Sequence, residues 1–243
     1  MGVPVTAVDP ALPTAAAPTS SAATGFDPAA DALAELDRQI RAYHDLGVAA
    51  VLGQDEATFR ASLAPLASLV SGLDLAVRAS SSDDAVGFVV VLPALDVNDA
   101  APAMRRGPRP GVSVIDRDEA ATYRPLVEVP AGPYLLWGID TGSEFCGTRP
   151  EDALRTVTDR GRSPLTMPEG VALTIVRPDM LRPNRCYSLM GSRTGTNQRV
   201  PAVWISERRA KLGWCWDRNP HTWLGAASAA GRISQEILPE ETY

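Results

Sequence analysis

The sequence predicts an α+β fold, with N-terminal helices and a second helical pair packed on a mostly antiparallel sheet. Three observations carry this. Apolar residues recur at spacings of three and four between Asp27 and Val70. Two apolar runs, VGFVVVLPAL from Val86 and PYLLWGIDTG from Pro133, read as strands. After Pro178 only short strand-like segments follow, parted by Gly, Asn and Pro.

Taken in order, residues 1–26 are rich in Ala, Pro, Thr and Ser and almost uncharged, which predicts a disordered tail. Residues 27–243 are expected to form a single globular α+β domain. In the first helix Asp27 and Pro28 are expected as N-cap and first turn. Leu33, Leu36, Ile40, Tyr43 and Leu46 would form its buried stripe, and Gly47 would stop it. A second helix is expected from Asp55 to Val70, with Phe59, Leu63, Leu66 and Val70 inside. The Val86 strand should end near Pro93. PAMRRGPRPG, residues 102–111, is expected to be a loop or linker whose three arginines are solvated or meet an anion.

In the second half a helix should start at Arg149, with Thr148 as cap and Pro150 in its first turn. Thr166 and Glu169 have capping-box spacing, so another helix should run from Pro168 to Val176. Pro178 ends it.

Of the 243 residues, 45% are hydrophobic and 21% charged, so the chain can bury a full core without metal or disulfides. The formal net charge of -6 works against sequence-independent nucleic-acid binding, and no nucleic-acid partner is expected. Cys146, Cys186 and Cys215 are widely spaced without a CxxC, as free thiols in a reducing compartment would be. The N-terminus has no positive segment followed by a continuous apolar one, and Pro93 interrupts the longest apolar run. A cytoplasmic protein with no membrane segment is therefore expected.

The chemistry concentrates in LGWCWDRNPHTWLG, Leu212 to Gly225. Asp217 to Pro220 are turn residues, so the sequence predicts a hairpin pairing Trp216 with His221, Cys215 with Thr222 and Trp214 with Trp223. Trp214, Trp216, His221 and Trp223 would then share one face, and Cys215 would point away. That face would close the core or form a stacking wall for a planar or apolar ligand, with His221 as its polar group. Ser192 and Arg193, in the polar stretch GSRTGTNQR, are candidate polar contacts.

The alternative is a cysteine-dependent hydrolase or transferase. Cys215 is its first candidate nucleophile and Cys186 its second, with His221 as base. Cys146, Cys186, Cys215 and His221 lack the paired spacing of zinc ligands, and no metal or cofactor is expected. Asp140, Thr141 and Ser143 end a strand where a site could form, but no second acid accompanies them.

GRSPLTMPEGVAL, CYSLMGSR, VPAVWIS and LGWCWDRNPHTWLG together resemble a bacterial protein family known only as a domain of unknown function. The resemblance spans roughly Asp27 to Ala229 and is strongest from Pro133 onward. It implies no reaction, cofactor or catalytic residue, and it leaves the Ala/Pro-rich tail outside the family's body. The expected function is non-enzymatic binding of a small molecule or peptide at the Trp/His-lined site. A third reading is an assembly protein that docks a protein partner through its N-terminal tail or the 102–111 loop.

Overall fold

The computed structural model describes residues 25–71, 73 and 82–235. Apart from its last two residues, the tail expected over 1–26 lies outside them, as do residues 236–243.

Helix α1 is Ala32–Asp45, capped by Asp31, whose side chain accepts from the Ala34 N–H. Asp27 instead closes a separate turn by accepting from the Ala29 N–H at 2.9 Å. Leu36, Ile40, Tyr43 and Leu46 are buried as the stripe predicts, whereas Leu33, one residue into the helix, is half exposed. Gly47 stops α1 in the left-handed region at φ 78° and opens the short α2, Val48–Val51. The helix expected from Asp55 to Val70 is two: α3, Glu56–Leu63, and α4, Leu66–Ser71. Pro65 stands between them and has no N–H to continue the ladder, although the apolar spacing runs straight through it.

Strand β1 is Ala85–Val91, followed by α5, Val97–Ala100. The 102–111 stretch is a compact turn rather than a linker. Arg106 and Arg109 pair across it, the Arg105 guanidinium donates to the Pro108 carbonyl, and Met104 is buried beneath. Then come β2 (Val112–Ser113), α6 (Arg117–Ala120), β3 (Arg124–Pro125) and β4 (Tyr134–Asp140). Helix α7 is Pro150–Asp159, with Arg149 rather than Thr148 at the N-cap. Next are β5 (Ser163–Pro164) and α8 (Met167–Val176). The remainder is β6 (Cys186–Ser188), β7 (Ser192–Arg193), β8 (Arg199–Ser206), β9 (Arg209–Trp216), β10 (Leu224–Ala226), β11 (Ser228–Ala229) and β12 (Gly231–Ile233).

The fold is α+β. One antiparallel sheet runs β1-β4-β11-β5, with β12 also on β4. A second runs β10-β6-β8-β9-β2 and is parallel only at its two outer pairs. β3 and β7 form a two-stranded ribbon. Among the described residues no helix is long and apolar enough to cross a membrane.

The tryptophan hairpin differs from expectation. β9 pairs with β8, so Trp216 lies opposite Arg199, Cys215 opposite Val200 and Trp214 opposite Pro201. The reversal is at Glu207 and Arg208, both at positive φ (53° and 63°) as a two-residue hairpin turn requires. Residues 217–220 lead instead across the sheet to β10, which joins β6 in parallel. The eight-residue RVPAVWIS strand, rich in β-branched residues, offers a far longer ladder than the short Thr222–Leu224 segment could.

Helix α8 lies between the sheets, against β1 on one side and β8 on the other. It is apolar all round, and every residue but Pro168 is buried. Its one charge, Glu169, is 0% exposed. One Glu169 oxygen accepts from the Thr166 N–H at 2.7 Å, completing the predicted capping box. The other accepts from the Tyr134 hydroxyl at 2.7 Å. Arg232 of β12 grips both oxygens, Nε at 2.6 Å and Nη2 at 2.7 Å, and reaches Ser163 Oγ at 2.6 Å. One carboxylate thus ties α8, β4, β12 and β5 together.

The free edge of β1 is closed by side chains of α1. Gln39 accepts from the Val90 N–H at 2.8 Å and donates to the Phe88 carbonyl at 3.0 Å, in place of a neighbouring strand. The Tyr43 hydroxyl donates to the Val90 carbonyl at 2.7 Å. An unpaired buried N–H or C=O costs about 1–3 kcal/mol. Gln39→Leu is therefore expected to lower the unfolding free energy by about 2–3 kcal/mol. Urea denaturation followed by circular dichroism measures this, and an unchanged midpoint contradicts it.

Candidate functional site

Pro93 ends β1, and the chain turns at Leu95 into α5, where Asp96 accepts from the Asn98 and Asp99 N–H groups at 2.8 and 3.2 Å. Asp116 caps α6 in the same way. The β3–β7 ribbon then sets Pro125 opposite Ser192. Between these segments and the start of α8 lies a cavity of about 300 Å³. Its floor is Val91, Tyr134, Thr166 and Ser192, all buried, and its rim includes the exposed Ala121 and Pro125. It therefore opens to solvent at that rim.

The walls are mostly apolar and the polar groups few. Ser192 Oγ accepts from the Met167 N–H at 2.8 Å, and the Thr166 side chain accepts from the Glu169 N–H. Each hydroxyl keeps its own proton to donate. The carboxylate of Asp96, half exposed at the mouth, takes Arg117 Nη1 at 3.1 Å.

The Tyr123 ring forms one wall, and its hydroxyl donates to Glu119 at 3.5 Å. Glu119 accepts from Arg199 Nη1 at 2.6 Å. The Arg199 guanidinium stacks 4.0 Å above Trp214, which meets Trp216 edge-on at 5.1 Å. The cavity wall thus connects to one of the two aromatic clusters.

The four aromatic candidates do not share a face. Side chains alternate along a strand, so Trp214, Trp216 and Arg199 lie on one face of the second sheet. Trp204 lies on the other, over the space that Gly213 leaves. Trp223 packs against Trp204 at 6.3 Å and against His221 at 5.4 Å. His221 Nε2 is buried without a hydrogen-bond partner among the described residues, beside a crevice with no room for a water molecule. None of the three indoles lines the cavity.

Of the two polar candidates, Ser192 lines the cavity. Arg193 is held elsewhere: it donates to the Met190 carbonyl at 2.7 Å and to Asp217 at 3.0 Å. Burial lowers its pKa, and Asp217 and Cys215 pull it back up.

No curated protein and no solved structure matches the chain. The profile of a family of unknown function, DUF5701, matches residues 42–235. The chain belongs to that family. The DUF5701 region takes in every residue of the cavity lining and all three cysteines.

Within it, Cys215 and His221 share no hydrogen bond. The charges nearest the Cys215 thiol are Arg193 and Asp217, and burial pushes that thiol up to about 12. Burial also raises Cys186, whose Sγ lies 3.6 Å from the Arg182 carbonyl. The half-buried Cys146 is raised too, and its Sγ lies 3.8 Å from the Asn184 carbonyl. None of these thiols has the depressed pKa of an activated nucleophile. Among the described residues no group of three or more His, Cys, Asp or Glu is placed to hold a metal.

Asp140 accepts from the Gly142 N–H at 2.7 Å, while Thr141 and Ser143 both donate to Asp84. Burial would raise Asp84, but those hydroxyls and the Arg182 guanidinium outweigh it and hold the carboxyl low. This knot ties the start of β1 to the end of β4. Sequence reasoning missed Asp84 because its partners Thr141, Ser143 and Arg182 lie far along the chain, and it missed Asp96 and Tyr123 because the segments that join them around the cavity do. Thr166 was legible only as a cap, and its capping box is also what buries its hydroxyl at the cavity floor.

The raised thiol pKa values keep all three cysteines protonated at neutral pH. Iodoacetamide at pH 7.5 is expected to label Cys146 first and Cys215 last, the latter more than roughly tenfold slower than free cysteine. Peptide mass spectrometry over a time course reads this out, and rapid labelling of Cys215 would restore it as a nucleophile.

Proposed function

We propose that the protein is a non-enzymatic small-molecule binding protein and that its ligand occupies the cavity at the buried start of α8. The observation that carries this reading is the cavity itself. About 300 Å³ of space stands open at one end, within the size range of ligand sites. Apolar walls and a few convergent polar groups are the usual make-up of such a site. The binding function expected from the sequence is kept, and its lining moves from the tryptophan segment to Tyr123, Thr166 and Ser192. The three free thiols suit a reducing compartment, and we place the protein in the cytoplasm.

A screen of small metabolites by ligand-observed NMR is expected to give hits with saturable binding. Ala121→Trp, at the exposed rim, puts an indole across the mouth and should abolish them while leaving the thermal midpoint unchanged. An empty screen, or hits indifferent to Ala121→Trp, contradicts the reading.

A further inference from the structure

Resting on that reading, we propose that the ligand is a neutral molecule with a carbonyl head and an apolar body, its head seated on the Ser192 and Thr166 hydroxyls. Three features of the cavity lead there.

The first is the pair of donors. Ser192 and Thr166 are 3% and 2% exposed. Each oxygen already accepts a backbone N–H, so each has a proton to give and, among the described residues, no hydrogen-bond partner that takes it. They stand side by side, because Ser192 Oγ bonds the amide that directly follows Thr166. A carbonyl oxygen has two lone pairs to receive them.

The second is charge. Among the described residues the cavity lining holds no Lys, Arg or His, and its one charged residue is Asp96 at the mouth. The cations nearest the floor are committed, Arg232 to Glu169, Arg193 to Asp217 and Arg117 to Asp96 and Asp99, and Arg124 at the exposed rim donates to the Ala121 and Tyr123 carbonyls. A carboxylate or phosphate seated at the floor would come to rest beside Glu169, with no cation among the described lining residues to meet it. Burying an unpaired charge is strongly unfavourable. A neutral carbonyl loses far less on leaving water and recovers it in the two hydroxyl hydrogen bonds.

The third is size and wall chemistry. A volume of about 300 Å³ is at the small end for ligand sites, enough for one ring and its head group. Val91, Leu95, Val97 and Val129 supply an apolar sleeve for the body.

Three probes of matched shape test this: p-toluamide, p-toluate and p-xylene, titrated against the full chain at pH 7 with ligand-observed NMR. The amide is expected to bind roughly tenfold tighter than either of the others, the gain of one or two net hydrogen bonds. Ser192→Ala should remove most of that advantage and leave p-xylene unaffected. If Ser192→Ala fails to fold because the Met167 N–H loses its partner, the selectivity of the wild-type protein decides. Equal or tighter binding of p-toluate or p-xylene overturns the carbonyl assignment and leaves the cavity as a binding site. If none of the three binds, both the assignment and the binding reading fall.

Discussion

The structure depends on one buried carboxylate. Helix α8 is apolar on every side because it fills the space between two sheets, and such a helix brings its unsatisfied N-terminal N–H groups into the interior. Buried N–H groups there need partners. Glu169 and Thr166 resolve this by capping the helix reciprocally. The solution creates a second problem, a fully buried charge, and Arg232, Tyr134 and the Thr166 N–H resolve that one. A charge pair so deep is tolerable only when its hydrogen bonds are complete. Completing them brings β4, β12 and β5 onto the start of α8.

The cavity follows from the same arrangement. Thr166 faces it because the capping box fixes the first turn of α8, and Ser192 faces it because its hydroxyl takes the next amide along. Tyr134 contributes its ring to the floor while its hydroxyl reaches Glu169 behind. The polar end of the cavity is therefore built from groups whose positions are already set by the need to cap a buried helix. The rest of the lining is supplied by segments that the ends of β1 and α6 bring together.

What the sequence disclosed and what it hid divide along range. The capping box, the Gly47 stop and the strands at Val86 and Pro133 are local, and each is legible in a few neighbouring residues. The break at Pro65 is local too, but a continuous apolar stripe masks it. The tryptophan hairpin shows local chemistry losing to a longer ladder. Asp217–Pro220 has turn residues and no partner strand worth pairing, whereas Glu207–Arg208 lacks Gly or Asn and still turns because an eight-residue strand waits on each side. Arg232 and Glu169 are 63 residues apart, and no spacing rule joins them. The cavity lining is gathered from segments between Val91 and Ser192, so of its polar residues only Ser192, set in a conspicuous polar stretch, stood out as a contact.

A double-mutant cycle on Glu169 and Arg232 tests this account most directly. Glu169→Leu, Arg232→Met and the double variant would be unfolded in urea alongside the wild type. The account predicts that each single change costs about 3–5 kcal/mol, that the double variant costs much less than their sum, and that the coupling is at least about 2 kcal/mol. A coupling below about 0.5 kcal/mol would mean that the two residues act independently and that the buried pair does not organise the fold.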